Sequence, residues 1–372
     1  MATVVVAGAL AAKPGNGGEA WVRLSWVLGL RRLGFDAWLV EELDSAGAAA
    51  GREFFERTVE EFGLGSRARL FVPEEADEGE RAELEELAGE ATALVNVSGN
   101  LRDPRLLDRF RQRAYVDLDP GFTQIWHAQG HLGDQLERHH RHFTVGLNLG
   151  GADCTVPVDG FEWVPLPPPV LLDEWAPLDD RRFDRFTTVA TWRNALGSLE
   201  AGDTTFTLKH HQLRRFAAVP RQAQLPFEIA LEIHPDEAAE LVHLKEDGWS
   251  VVEPAAVAAD PDAFREYVRG SGAEFSVTQG VYAETRSGWV SDRTAHYLAA
   301  GRPAVVQETG LPAEFRPDAG LLTFSEPDEA VAAAREVVDS YERHAAAAHA
   351  FAAATFDSDR VLARMLEALG VG

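Results

Sequence analysis

Four prolines within five residues, Pro165, Pro167, Pro168 and Pro169, cut the chain into two stretches of comparable length. Proline fixes φ and lacks a backbone N–H, so this run is neither a helix interior nor a central strand. On either side of it, short apolar runs alternate with segments whose apolar residues recur at helical spacing. That alternation builds parallel sheets covered by helices on both faces. At 372 residues the chain is also long for one core, since single cores rarely grow past about 250 to 300 residues. The expected fold is α/β, two Rossmann-like parallel-sheet domains facing a cleft. The boundaries read as 1–165 for the N-terminal domain, 166–185 for the linker, 186–350 for the C-terminal domain and 351–372 for a last helix.

The first stretch opens with a strand pattern over Thr3–Ala7, a helix pattern carrying Trp21, Leu24, Val27 and Leu28, and a second strand over Ala37–Val40. Gly15, Asn16, Gly17 and Gly18 lie in the intervening loop. A dinucleotide fingerprint would need Gly-x-Gly-x-x-Gly directly after the first strand, with Glu41 or Glu42 on the ribose. These glycines do not fit that spacing. Residues 51–91 read as helical and acidic, and Thr92–Val97 as a buried strand. Tyr115, Val116 and Leu118 then form a strand with Asp117 and Asp119 at its end. Polar groups at the carboxyl end of a parallel strand lie where ligands bind. Asp119, with His127 second, is therefore the candidate general base.

His127 and His131 have the His-x3-His spacing that would set two imidazoles on one helix face. Gly130 and Gly133 interrupt that helix, so no metal ligand is assigned. Cys154, the single cysteine, rules out an internal disulfide. A formal charge of −25 argues against nucleic acid or an anionic membrane as the main partner. The sequence starts directly in a strand pattern and contains no run of about 18 apolar residues, which implies a cytoplasmic protein without membrane insertion.

In the second stretch, strand and helix patterns alternate from Phe186 to Tyr341. Its focus is Arg286–Gly310, where a loop with Gly288 leads into a helix that stops at Gly301, and Pro303 opens a strand. Ser291 or Asp292 caps the helix, with Arg293 in its first turn. A cation there opposes the helix dipole unless an anion offsets it, so this segment is a candidate anion site.

The run Ser-Asp-Arg-Thr-Ala-His-Tyr-Leu-Ala-Ala-Gly-Arg-Pro-Ala, from Ser291 onward, resembles the donor-site signature of GT-B glycosyltransferases, with Leu298, Ala299, Gly301 and Pro303 in the matching places. His296 stands where many of these enzymes carry a ribose-binding glutamate. The resemblance implies a transferase that moves a sugar from a nucleotide-diphosphate donor to an unidentified hydroxyl or amine acceptor, with no metal or other cofactor. It assigns Arg193, Lys209, Ser291 and Arg293 to the diphosphate, Asp292 and His296 to the ribose or sugar, and Gly288 to the donor-binding loop. It also makes Gly17, Gly18 and Glu19 an acceptor-side loop, and returns the last helix, Phe356–Leu369, to the N-terminal domain. An inverting and a retaining course both remain open, as do a nucleotide-sugar epimerase on the same fold and a non-catalytic binding protein.

Overall fold

In the computed structural model, residues 1–158, 160–179, 182–193 and 196–371 are described. Asp180 and Arg181 of the expected linker and Gly372 of the last segment lie outside the described residues. The first sheet contains β1 (Thr3–Ala7), β2 (Asp36–Glu42), β3 (Ala68–Phe71), β4 (Ala93–Val97), β5 (Arg113–Asp117), β6 (Arg141–Thr144) and β7 (Trp163–Pro165). All pair in parallel, in the order β3-β2-β1-β4-β5-β6-β7. Proline is confined to the end of the edge strand β7, where no ladder bond is lost.

The second half has β8 (Phe186–Thr191), a small antiparallel hairpin of β9 (Glu200–Ala201) and β10 (Thr204–Thr205), then β11 (Phe227–Glu232), β12 (Trp249–Val252), β13 (Ala273–Ser276), β14 (Ala304–Gln307) and β15 (Leu321–Phe324). Its parallel sheet runs β12-β11-β8-β13-β14-β15. Each sheet reverses direction of growth once, between β1 and β4 and between β8 and β13. Open α/β sheets hold ligands at the carboxyl ends of the strands flanking such a reversal. The expected two-domain α/β architecture is present.

The two halves share a core. Trp21 and Trp26 on the helix Gly17–Arg32, Trp175 of the linker, Phe264, and Tyr297 and Leu298 belong to one buried cluster. Asn16 caps the Gly17–Arg32 helix by accepting from Glu19 N–H at 3.1 Å, and Trp21 donates through Nε1 to Pro261 O at 2.8 Å. Asp260 and Pro261 in turn start the helix Pro261–Arg269, a carboxylate cap followed by proline at the first helical position. The last helix, Ser358–Leu369, lies against Gly17–Arg32, with Leu362 and Ser358 beside Gly29.

Three elements depart from the sequence reading. β3 interrupts the supposedly continuous helical stretch 51–91; it is a four-residue edge strand containing Arg69, too short and too charged to show a period. Between β4 and β5 lies a single helical turn, Pro104–Leu107, which the sequence analysis leaves unassigned. Tyr341–Thr355 is a helix of its own, which its alanine-rich run hides because alanine marks no apolar face.

Candidate active site

The carboxyl ends of the two sheets meet across a cleft, and the charged groups at its C-terminal wall are set by a split between strands. β8 and β13 pair only at Phe186–Ala273 and Thr187–Glu274. Beyond that the strands separate, and the Arg293 side chain fills the opening. Its Nε donates to Glu274 Oε1 at 2.7 Å, Nη1 to Val189 O at 2.6 Å, and Nη2 to Ser276 Oγ at 2.7 Å. Glu274 is fully buried, so this arginine is the counter-charge of a core carboxylate as well as a wall of the cleft.

Lys209 begins the helix Lys209–Phe216, whose first turn has no side-chain cap. Among the described residues it has no hydrogen bond or ion pair. Burial, and then the charge of Arg293, push its amine down to about 7. Two neighbouring cations, of which only Arg293 has a carboxylate partner, are electrostatically incomplete. An anion in the cleft would complete them and return the amine to its charged form.

The opposite wall is acidic. Asp117 is fully buried and saturated: it accepts from Asp119 N–H, Thr123 Oγ1, Gln124 Nε2 and Thr144 Oγ1 at 2.6–3.0 Å. That network fixes the loop carrying Asp119, which is half-buried and accepts at Oδ1 from the Tyr282 hydroxyl at 2.7 Å. Burial pushes the Asp119 carboxyl up to about 6, although the Tyr282 hydroxyl pulls the other way. Asp292, from the C-terminal domain, is pushed up to about 7 by burial, with Arg23 opposing and Glu19 and Asp119 adding to the rise. Burial also works to raise Glu19, but the charges of Arg23 and Lys13 win and hold it low.

Arg23 is the residue that the sequence reading missed. It is 5% exposed, it pairs with Glu19 one helical turn away, and its Nε is buried without a partner. Its signal was present as a charge on an otherwise apolar helix segment, Trp21 to Leu24. Gly8, at the end of β1, leaves the room it needs, since a Cβ there would sit 2.8 Å from Arg23 Cγ.

Several expected site residues lie elsewhere. Arg193 does not join Lys209; it makes a two-point pair with Glu237, Nε–Oε2 at 3.0 Å and Nη2–Oε1 at 2.7 Å, on the exposed rim. His127 packs edge-on against Phe161, 3.8 Å from Glu137, in a cluster apart from Asp119. His296 is fully buried, stacked on Trp175 at 4.2 Å, and burial pushes it down to about 3. It is a core residue, neutral near pH 7, and both its ring nitrogens lack a hydrogen-bond partner.

The glycines serve packing. A Cβ on Gly17 would lie 1.9 Å from Asp260 O, and Gly18 faces the Phe264 ring, so both glycines of the expected acceptor-side loop sit at a joint between the domains. Only Glu19 of that trio reaches the acidic wall. Gly288, at φ +72°, would place a Cβ 2.3 Å from Asn148 N, and its carbonyl accepts from Leu147 N–H. Ser291 caps the Asp292–Ala299 helix as expected from sequence, accepting from Arg293 N–H at 3.2 Å. Among the described residues no three His, Cys, Asp or Glu side chains gather to hold a metal. A cavity of about 420 Å³ lies at the edge strand β15, lined by Phe315, Leu322 and Ala333 among others, away from all of these groups.

Two parallel-sheet domains of this topology, facing a cleft, have the GT-B fold. Residues 216–367 match a family model described as glycosyl transferase-like. The chain is similar over 100% of both chains to an alpha-glucosyltransferase in complex with UDP and a 13-mer DNA, at a TM-score of 0.63 and 11% identity. It is similar to Anabaena HepE in complex with UDP and glucose, again over 100% of both chains, at 0.59 and 11%. Sucrose-phosphate synthase from Thermosynechococcus elongatus matches over 99% of this chain and 98% of that one, at 0.58 and 13%. None of the curated proteins compared with the chain matches it. The C-terminal half is thus similar to glycosyl transferase-like proteins, and the whole chain shares the fold of these glycosyltransferases.

Proposed function

We propose that the chain transfers a sugar from a nucleoside-diphosphate donor to an acceptor hydroxyl or amine, without a metal ion, with the donor on the C-terminal domain. The observation that carries this reading is the unpartnered Lys209 beside Arg293 at the strand reversal of the C-terminal sheet. In the reacting step the acceptor oxygen bonds to the anomeric carbon as the bond to the diphosphate breaks. The acceptor proton passes to Asp119, and the charge developing on the diphosphate is met by Lys209, by Arg293 and by the N-terminus of the Asp292–Ala299 helix. A carboxylate acting as base on the acceptor makes the transfer inverting. Asp292 and Glu19 line the space where the sugar sits.

UDP is the first nucleotide to test, because the alpha-glucosyltransferase and HepE structures contain it. No helix among the described residues is long and apolar enough to cross a membrane, and a nucleotide-sugar donor suits a cytoplasmic reaction. The acidic wall on the acceptor side and the charge of −25 favour a small-molecule or glycan acceptor over nucleic acid.

The test is nucleoside diphosphate release from UDP-, dTDP-, GDP-, ADP- and CDP-sugars over an acceptor panel, repeated with Asp119→Asn. Loss of a general base costs about 10²- to 10⁴-fold. Release that depends on acceptor and falls by this factor supports the reading; no release from any donor overturns it. A second reading rests on the facing carboxylates Asp119 and Asp292, both poised near neutrality. They could exchange a proton at a sugar carbon, and interconversion of the donor without acceptor would favour an epimerase.

A further inference from the structure

We propose that Tyr282, from the C-terminal domain, is a positioning residue that holds Asp119 across the domain seam so that one carboxylate oxygen faces the acceptor. The inference rests on the reading of Asp119 as the base. Among the described residues, the Tyr282 hydroxyl is the one side-chain donor on the Asp119 carboxylate, and it occupies Oδ1 at 2.7 Å. Oδ2 is left to receive a proton.

The tyrosine has little freedom to be anywhere else. Its ring is 3% exposed, stacks on Trp289 at 4.4 Å and 16°, and meets the Phe122 ring at 6.0 Å. Trp289 in turn donates through Nε1 to Leu118 O, the residue before Asp119, at 3.3 Å. The segment following Tyr282 is stitched to the N-terminal domain by Thr155 N–H to Thr285 O at 2.9 Å and by Asn148 N–H to Ser287 O at 3.1 Å. The donor domain thus supplies the group that orients the base on the acceptor domain.

The other charged groups facing Asp119 cannot take this part. Asp117 spends its oxygens on four donors within its own domain. Glu19 and Asp292 are carboxylates whose charge disfavours that of Asp119, and Arg23 acts on it through its charge while bonded to Glu19. A hydroxyl donated to a carboxylate favours the ionised form, so its removal moves deprotonation to higher pH.

Tyr282→Phe removes the hydroxyl and keeps the ring stack. With the donor and acceptor found by the release assay, we expect kcat to fall about tenfold and the acid limb of kcat/KM to move up by about one pH unit, the size of one hydrogen bond to a charged group. The donor KM stays unchanged. A direct readout accompanies it: titration of the Asp119 carboxyl in whole protein labelled with ¹³C-aspartate, the signal assigned by its loss in Asp119→Asn. An upward shift of that titration in Tyr282→Phe supports the proposal. An Asp119 titration and acid limb at the same pH in both proteins overturn it. Failure of the transferase reading is a separate result, seen as absence of turnover in the unsubstituted protein.

Discussion

Lys209 and Arg293 stand together at the carboxyl end of the C-terminal sheet, and only Arg293 has a counter-charge, the buried Glu274. The lysine is therefore the group with interaction capacity to spare. Its amine is held at about 7 in the fold and returns toward 10.5 in the unfolded chain. Between those values the unfolded chain binds the extra proton, so stability rises with pH; the penalty is complete below about pH 7.

Lys209→Met should therefore raise the melting temperature of the ligand-free protein at pH 7, by the equivalent of about 1 kcal/mol, the scale of polar burial costs found by mutation. The same variant should lose nucleoside diphosphate binding. Thermal melts with and without UDP read both effects, and a variant less stable than its parent would contradict this account of the site.

Arg293→Ala is a poor probe of the donor site, because it strands Glu274 as an unpaired charge in the core. Removal of one partner of a buried pair costs about 3 to 5 kcal/mol. Arg293→Met combined with Glu274→Gln should recover most of that loss in a urea melt while leaving donor binding weak.

The pH profile of kcat/KM should be narrow. Asp119 works deprotonated, so activity falls as pH drops through about 6; Lys209 holds the donor when protonated, so donor capture falls as pH rises through about 7. In kcat the alkaline limb should move higher, since bound diphosphate raises the lysine. Initial rates from pH 5 to 9 at low and saturating donor measure the two limbs.

His296→Leu should leave donor binding unchanged and the protein equally or more stable. The imidazole is neutral above about pH 3, and both its nitrogens are buried without partners. Replacing it with an apolar side chain of like size removes that desolvation cost. A large loss of nucleotide binding would return His296 to the site.

Much of this molecule could be read without coordinates. β1, β14 and the helix Asp292–Ala299 fall where the apolar runs and caps put them, since buried parallel strands and capped helices declare themselves locally. Asp119 was legible from its place at a strand end, and Ser291 from its place before a helix. The failures share a cause. Whether Gly17, Gly288 and His296 face a ligand or the other domain depends on how the domains meet, and nothing local encodes that. Arg193 and Lys209 looked alike in sequence; the distant Glu237 takes one of them, and the split between β8 and β13 sets Arg293 beside the other. Arg23 and Tyr282 acquire their meaning only through partners on the far side of the seam.

The most direct test of the account is nucleoside diphosphate binding by the unsubstituted protein and by Lys209→Met, measured by thermal shift with UDP, dTDP, GDP, ADP and CDP at pH 6.5. At about 100 times its dissociation constant, a ligand adds about 2.7 kcal/mol. The account expects one nucleotide to stabilise the unsubstituted protein to that extent and to leave Lys209→Met unmoved. Equal stabilisation of both proteins, or of neither, would contradict it.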